Sequence, residues 1–121
     1  MYSTTEKNTV LPISLSPSGP GSEPPITVCA LFSQTAHKYA EKDALFIMRG
    51  GEPLCFSWSE YFENSVAFAK SMVGVGVVER AGVAIMGSNS PEWLFACMGG
   101  MMSNCVVTGM YTTNSPDACA Y

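Results

Sequence analysis

Two β-rich runs, each leading through Asn-Ser-Pro-acid into a helix start, predict an α/β chain. It should hold the start of a parallel sheet, a β-hairpin before that sheet, and helices flanking both. The first run, Gly82-Val-Ala-Ile-Met-Gly87, is followed by Asn89-Ser90-Pro91-Glu92. The second, Val106-Val-Thr-Gly-Met-Tyr111, is followed by Asn114-Ser115-Pro116-Asp117, with the two four-residue units 25 residues apart. Strand, helix and strand at that spacing in one sheet imply a right-handed parallel crossover. The third observation is charge: from Ala81 to Tyr121 the charged residues are Glu92 and Asp117 alone. A stretch so poor in charge is expected to be buried on several sides, as parallel sheets are.

Residues 1–25 are rich in Ser, Thr, Pro and Gly, and read as a disordered tail or linker unable to bury enough apolar area to offset chain entropy. The remaining residues, 26–121, form the folded part. Thr27 is a candidate N-cap, and Val28, Leu31, Phe32, Thr35 and Tyr39 come after it at helical spacing to about Ala40. His37, the sole histidine, falls off that stripe and reads as a solvated surface residue. Ala44–Arg49 and Leu54–Trp58 read as strands around the turn Gly50-Gly51-Glu52-Pro53, a hairpin.

Ser59 is the expected cap of the next helix, whose apolar face carries Tyr61, Phe62, Ser65, Val66, Ala69, Met72 and Val73. That helix should stop near Gly74 or Gly76, where glycine accepts a left-handed cap. Gly74-Val-Gly76 is no dinucleotide fingerprint, because it comes after a helix and lacks a third glycine.

The two helix starts after the sheet strands have a local chemistry. Ser90 and Ser115 can cap with a side-chain oxygen. Pro91 and Pro116 suit the first helical position, where the missing N–H costs nothing. Glu92 and Asp117 lie in the first turn, where the helix dipole favours negative charge. Each helix thereby brings its own anion to the end that would otherwise attract a phosphate. In the helix after Pro91, Trp93, Leu94, Cys97, Met98 and Met101 should pack, the methionines as core filler. Gly99-Gly100 weakens that helix and permits close approach to a sheet or another helix.

A formal net charge of −4, with 13% charged residues and no basic cluster, argues against a nucleic-acid surface. Five cysteines, an odd number without C-x-x-C spacing, fit reduced thiols packed as small buried hydrophobes better than disulfides or a zinc site. No signal peptide is visible, and the longest apolar run, Trp93–Met102, is about half of a membrane span.

Taken together, the Thr27–Ala40 helix, the hairpin ending Phe56-Ser-Trp58, the Val83-Ala-Ile-Met strand and Asn89-Ser-Pro-Glu-Trp93 resemble the N-terminal region of acyl-CoA synthetases. These belong to the adenylate-forming, AMP-binding ligase superfamily. With Val107-Thr-Gly-Met-Tyr-Thr-Thr-Asn-Ser-Pro-Asp-Ala118, the likeness is to bubblegum-type long-chain fatty-acid–CoA ligases. It covers roughly Thr27–Tyr121.

The resemblance implies a partial N-terminal region of the ligase large domain. It also implies a family activity: a long-chain fatty acid is activated with ATP and Mg²⁺ to an acyl-adenylate, and the acyl group passes to CoA. The family's Ser/Thr/Gly-rich phosphate loop with its Lys is absent; Tyr111-Thr-Thr113 resembles only its start. No residue of this chain is therefore assigned a catalytic, cofactor-binding or metal role, and no ATP, Mg²⁺ or CoA is expected to bind it. Asn89, Pro91 and Trp93 read as fold determinants. The expected chain is a ligase fragment inactive by itself, or else a non-enzymatic fragment that pairs with a full-length ligase. A cytoplasmic location is expected, peripheral attachment to the endoplasmic reticulum or another membrane being the open alternative.

Overall fold

The computed structural model describes residues 15–120 together with Thr5 and Thr9. About half of the expected N-terminal tail lies outside those residues; within its described part, Pro20–Ser22 forms a single 3₁₀ turn. The elements in chain order are α1 (Val28–Lys38), β1 (Asp43–Arg49), β2 (Glu52–Ser57), α2 (Trp58–Gly74), β3 (Gly82–Met86), α3 (Pro91–Met102), β4 (Val106–Met110) and α4 (Pro116–Ala120). β1 and β2 pair antiparallel, whereas β3 and β4 pair parallel with Val83 opposite Val107 and Ile85 opposite Gly109. These are two separate two-stranded sheets. No helix among the described residues is long and apolar enough to cross a membrane.

The helix boundaries are set by local hydrogen bonding. Thr27 caps α1, its Oγ1 accepting from the Ala30 N–H at 3.1 Å. The cap of α2 is Ser57 rather than the expected Ser59, and Trp58 is the first residue of the helix rather than the last of the strand. Ser57-Trp-Ser-Glu60 is the Ser-x-x-Glu pattern of a capping box. The Ser57 N–H donates to Glu60 Oε2 at 2.7 Å, and the Glu60 N–H donates back to Ser57 Oγ at 3.2 Å. Ser59 has no carboxylate at its third position, and its hydroxyl instead donates to Glu63 at 3.3 Å. The Ser57 backbone N–H, then its hydroxyl, holds the Glu60 carboxyl below the usual carboxylate range.

α2 ends as the glycines suggest. Gly76 adopts a φ of 82° and donates to Val73 O, while Val77 donates to Met72 O, both at 3.0 Å. This double bond pattern satisfies two carbonyls that the helix end would leave unpaired. α3 ends in the same way with Asn104 at φ 60°, its N–H on Met101 O and that of Cys105 on Gly100 O. Asparagine is among the few side chains that tolerate this conformation.

The core is a cluster of aromatic rings between α1, α2, α3 and the inner face of the hairpin. Phe32, Tyr61, Phe95 and Met98 are its buried members. Phe32 meets Tyr61 edge-on at 4.7 Å, and Phe56 meets Phe95 at 5.2 Å. Burial first, and the nearby Cys97 second, push the Tyr61 hydroxyl up to about 12. α2 and α3 form the most extensive helix contact.

Gly99 and Gly100 are buried between them and β4. A Cβ on Gly99 would stand 2.5 Å from Ser65 O, and one on Gly100 would stand 2.6 Å from Val107 Cγ2. The glycine pair that weakens α3 as an isolated helix is thus what lets it lie on both neighbours. Ser65, fully buried at that contact, donates its hydroxyl to Tyr61 O at 2.8 Å.

Three expectations are corrected. The α1 stripe is covered only around Phe32 and Ala36; Val28, Leu31 and Tyr39 face outward. No cysteine is fully buried: Cys55 is exposed on the outer hairpin face opposite Phe46, and the other four are half-buried. The charge-poor segment is not enclosed on several sides. α3 covers Val83, Ile85 and Val107, but Met86 and Val106 face outward, at 46% and 59% exposure. In each case packing from one side satisfies the element, and the described chain supplies no second layer.

Candidate functional site

The described residues enclose a cleft of about 430 Å³ where the hairpin meets the start of α3. Leu45, Phe46 and Ile47 of β1 form one wall. The other is the Asn89-Ser90-Pro91 turn with Trp93 and Leu94. The Asn-Ser-Pro-Glu-Trp unit builds this second wall by its local chemistry. Ser90 caps α3, its Oγ accepting from the Trp93 N–H at 3.3 Å. Pro91 occupies the first turn and is buried. The 3.6-residue repeat then places Trp93 and Leu94 beside the hairpin while Phe95 turns into the core.

Trp93 is fixed from the sheet side. Its indole lies across the carboxyl end of the parallel strands: a Cβ on Gly109 would stand 3.3 Å from Trp93 Cζ2, and one on Gly87 would stand 3.7 Å from Trp93 Cδ1. Gly109 is therefore a seat for the ring. Open α/β sheets carry their ligand sites at the carboxyl ends of the strands.

Glu92 and Arg49 join the two walls from 43 residues apart, Arg49 Nη2 donating to Glu92 Oε1 at 2.9 Å and to Oε2 at 3.0 Å. The Glu92 backbone N–H, and after it the Arg49 guanidinium, holds the Glu92 carboxyl below the usual range. Both side chains stay about half exposed.

The sequence-highlighted residues divide plainly. Ser90, Pro91 and Trp93 converge on the cleft, with Asn89 in the turn that lines it. Ser115 Oγ accepts from the Ala118 N–H at 3.3 Å, and α4 buries nothing. Tyr111 is 81% exposed. His37 is exposed, its Nδ1 2.6 Å from Ser33 O and its ring edge-on to Phe62. Sequence reasoning missed the hairpin wall and Arg49. No local signal marks them, because their partners lie across the fold.

Chemically the site offers apolar contact and one half-exposed ion pair. The ATP and Mg²⁺ implied by the resemblance do not fit it. Glu92, held by Arg49, already sets an anion at the positive end of α3, the place where a helix would otherwise favour a phosphate. Among the described residues, no three His, Cys, Asp or Glu side chains are grouped to hold a metal ion.

Comparison with known proteins extends this picture. The chain is 34% identical over 118 residues to the long-chain-fatty-acid–CoA ligase ACSBG2 of Xenopus laevis, covering 98% of this chain and 16% of that one. It is 36% identical over 118 residues to ACSBG1 of Homo sapiens, with the same coverage. The chain thus spans about a sixth of the length of these relatives.

Among solved structures, the fatty acid AMP ligase of Legionella pneumophila superposes with a TM-score of 0.66 at 11% identity, over 75% of this chain and 16% of that one. The N-terminal subdomain of Klebsiella oxytoca NpsA gives 0.67 at 18% identity, over 74% and 23%. At such identities the likeness concerns the fold alone, and the fold is that of the N-terminal subdomain of adenylate-forming ligases. The family profile described as AMP-binding enzyme matches residues 32–121, which include the aromatic core, both strand–helix units and the cleft, and the chain belongs to that family.

Proposed function

We propose that this chain serves the activation of long-chain fatty acids, as the N-terminal α/β part of a long-chain fatty-acid–CoA ligase. In that reaction a fatty carboxylate displaces diphosphate from ATP to give an acyl-adenylate, and the CoA thiol then displaces AMP to give the thioester. The observation that carries the reading is identity of 34–37% to ligases of that name, over most of this chain. The cleft and the parallel strand ends are consistent with a scaffold. The reacting groups belong to the remainder of such a ligase, and the 121-residue chain by itself forms no acyl-CoA. A cytoplasmic location, with peripheral contact to the membrane that supplies the fatty acid, belongs to the same proposal.

The decisive experiment grafts residues 27–121 in place of the matching segment of the Xenopus laevis enzyme. Retained formation of acyl-CoA from palmitate, ATP and CoA supports the reading. A folded chimera without that activity overturns it.

A second reading, a non-enzymatic fragment that pairs with a full-length ligase, is favoured by one observation. Among the described residues, β3 and β4 form a two-stranded parallel sheet with a free edge on either side and an outer face bearing Met86 and Val106. Unpaired edges invite strand addition. Co-purification with a full-length ligase at fixed stoichiometry is the outcome that selects this reading over the first.

A further inference from the structure

We propose that the chain's own segment Val10–Leu15 folds back over the outer side of the α1 start and covers Ile26, Val28 and Leu31. This goes beyond the ligase reading and does not depend on the outcome of the chimera. Ile26, Val28 and Leu31 are each about half exposed, while the opposite side of α1 packs Phe32 and Ala36 into the core. Val28 and Leu31 stand three apart on the helix and share one side of it, with Ile26 two residues earlier in extended chain.

The turn before α1 points to this occupant. The Ser16 N–H donates to Gly21 O at 2.9 Å and the Ser22 N–H to Gly19 O at 3.0 Å, with the Ser22 hydroxyl on the same carbonyl at 2.7 Å. Gly19 takes a φ of 76°, which glycine adopts without steric cost. A Cβ on Gly21 would stand 2.8 Å from Ser16 Oγ, so the two arms of the turn touch. The chain reverses here. With Ser16 beside Gly21, each residue further back falls beside one further on: Leu15 beside Ser22, and Leu11 beside Ile26. Residues 10–14 lie outside the described residues; the turn sets the direction in which the chain leaves them.

The segment's composition suits that place. Leu11, Ile13 and Leu15 alternate, so an extended segment presents all three on one side. Pro12, Pro24 and Pro25 favour extended chain in both arms and withhold N–H donors from a ladder, which leaves the contact to side chains. Residues 8–15 carry no charge that would have to leave water. A tail of this kind buries too little apolar area by itself, but on α1 it meets a surface already in place. The short connection holds segment and surface at an effective concentration of roughly millimolar, so a free partner competes poorly.

The test is methyl NMR on the full 121-residue chain. Nuclear Overhauser cross peaks are expected between the methyls of Leu11 or Ile13 and those of Ile26, Val28 or Leu31. In an equal mixture of labelled and unlabelled chains they should stay within one molecule. Val28→Asp puts a charge into the covered row, at a first-turn position where the helix dipole favours it. It should abolish the cross peaks and return the Leu11 and Ile13 methyls to random-coil shifts, with α1 still helical. Thr5→Asp adds the same charge outside the segment and should leave the cross peaks unchanged.

Absent cross peaks overturn the proposal and leave the row to the remainder of a ligase. Cross peaks between molecules overturn it in favour of a second copy. Cross peaks that survive Val28→Asp overturn it as well. If Val28→Asp loses its helical circular dichroism, Leu11→Asp replaces it, and the proposal then stands or falls on loss of the Ile13 cross peaks.

Discussion

The two Asn-Ser-Pro-acid units share one local code and meet different fates. At the first, α3 runs for 12 residues and buries Pro91, Phe95, Met98, Gly99 and Gly100. At the second, the described part of α4, Pro116–Ala120, buries none. Both serines cap, and both acids sit in a first turn. The first residues after the acid differ as well. Trp93, Leu94 and Phe95 in the first unit correspond to Ala118, Cys119 and Ala120 in the second. The first set reaches the hairpin, the strand ends and the aromatic core; the second offers methyl groups and a thiol. Capping chemistry decides where both helices begin, and in α3 side-chain volume meeting the hairpin, the strand ends and the core holds the helix in place.

The contrast can be broken from the largest effect downward. Phe95→Ala gives the first helix the residue found at the matching place in the second. Loss of a buried aromatic ring packed on Phe56 and Tyr61 should lower stability by about 3–5 kcal/mol, read by urea unfolding. Gly99→Ala should improve the isolated helix by about 1 kcal/mol yet destabilise the protein by about 1–3 kcal/mol. Its Cβ would collide with Ser65 O on α2. A gain in stability would show that the α2–α3 contact yields easily.

Ser90→Ala should cost roughly 1 kcal/mol. Ser115→Ala, at a helix that holds nothing else in place, should change global stability by less than about 0.5 kcal/mol. Equal costs would mean that α4 belongs to the cooperative unit after all.

The smallest effect is Glu92→Gln. Its ion pair with Arg49 is half exposed, so the cost at neutral pH should be within about 1 kcal/mol. The Glu92 carboxyl is lowered in the folded state, so its contribution is present above the unfolded carboxylate pKa of about 4.3 and is lost as pH falls through the folded value. Wild type and variant should therefore converge in acid. A gap that persists there would point to packing rather than charge.

Much of the fold was legible because its signals are local. Thr27, Ser90 and Pro91 mark helix starts by groups that bond within one turn, and Gly76 marks a helix end by its backbone freedom. Alternation of strand and helix over a short spacing predicted the parallel pair, and β3 and β4 are parallel. The shift of the α2 cap from Ser59 to Ser57 was legible too, since the partner carboxylate of Glu60 stands three residues after Ser57.

The cleft was not legible. Ile47 and Trp93 lie far apart in the chain, and only the hairpin's position on α3 brings their surfaces together. The exposed Cys55, Val28 and Leu31 escaped for the same reason: an apolar residue carries no mark of whether a neighbour will arrive.

By itself, then, the sequence determined the elements, their order, the parallel pairing implied by the crossover, and the family that the whole resembles. These rest on hydrogen bonds and side-chain periodicities that act within a few residues. Tertiary structure alone decided that Gly99 and Gly100 are contact points, that Arg49 answers Glu92, and that Trp93 stands over Gly109 as one wall of a cleft. Those outcomes depend on which surfaces the packed helices and strands bring within van der Waals reach, and no local rule along the chain encodes that distance.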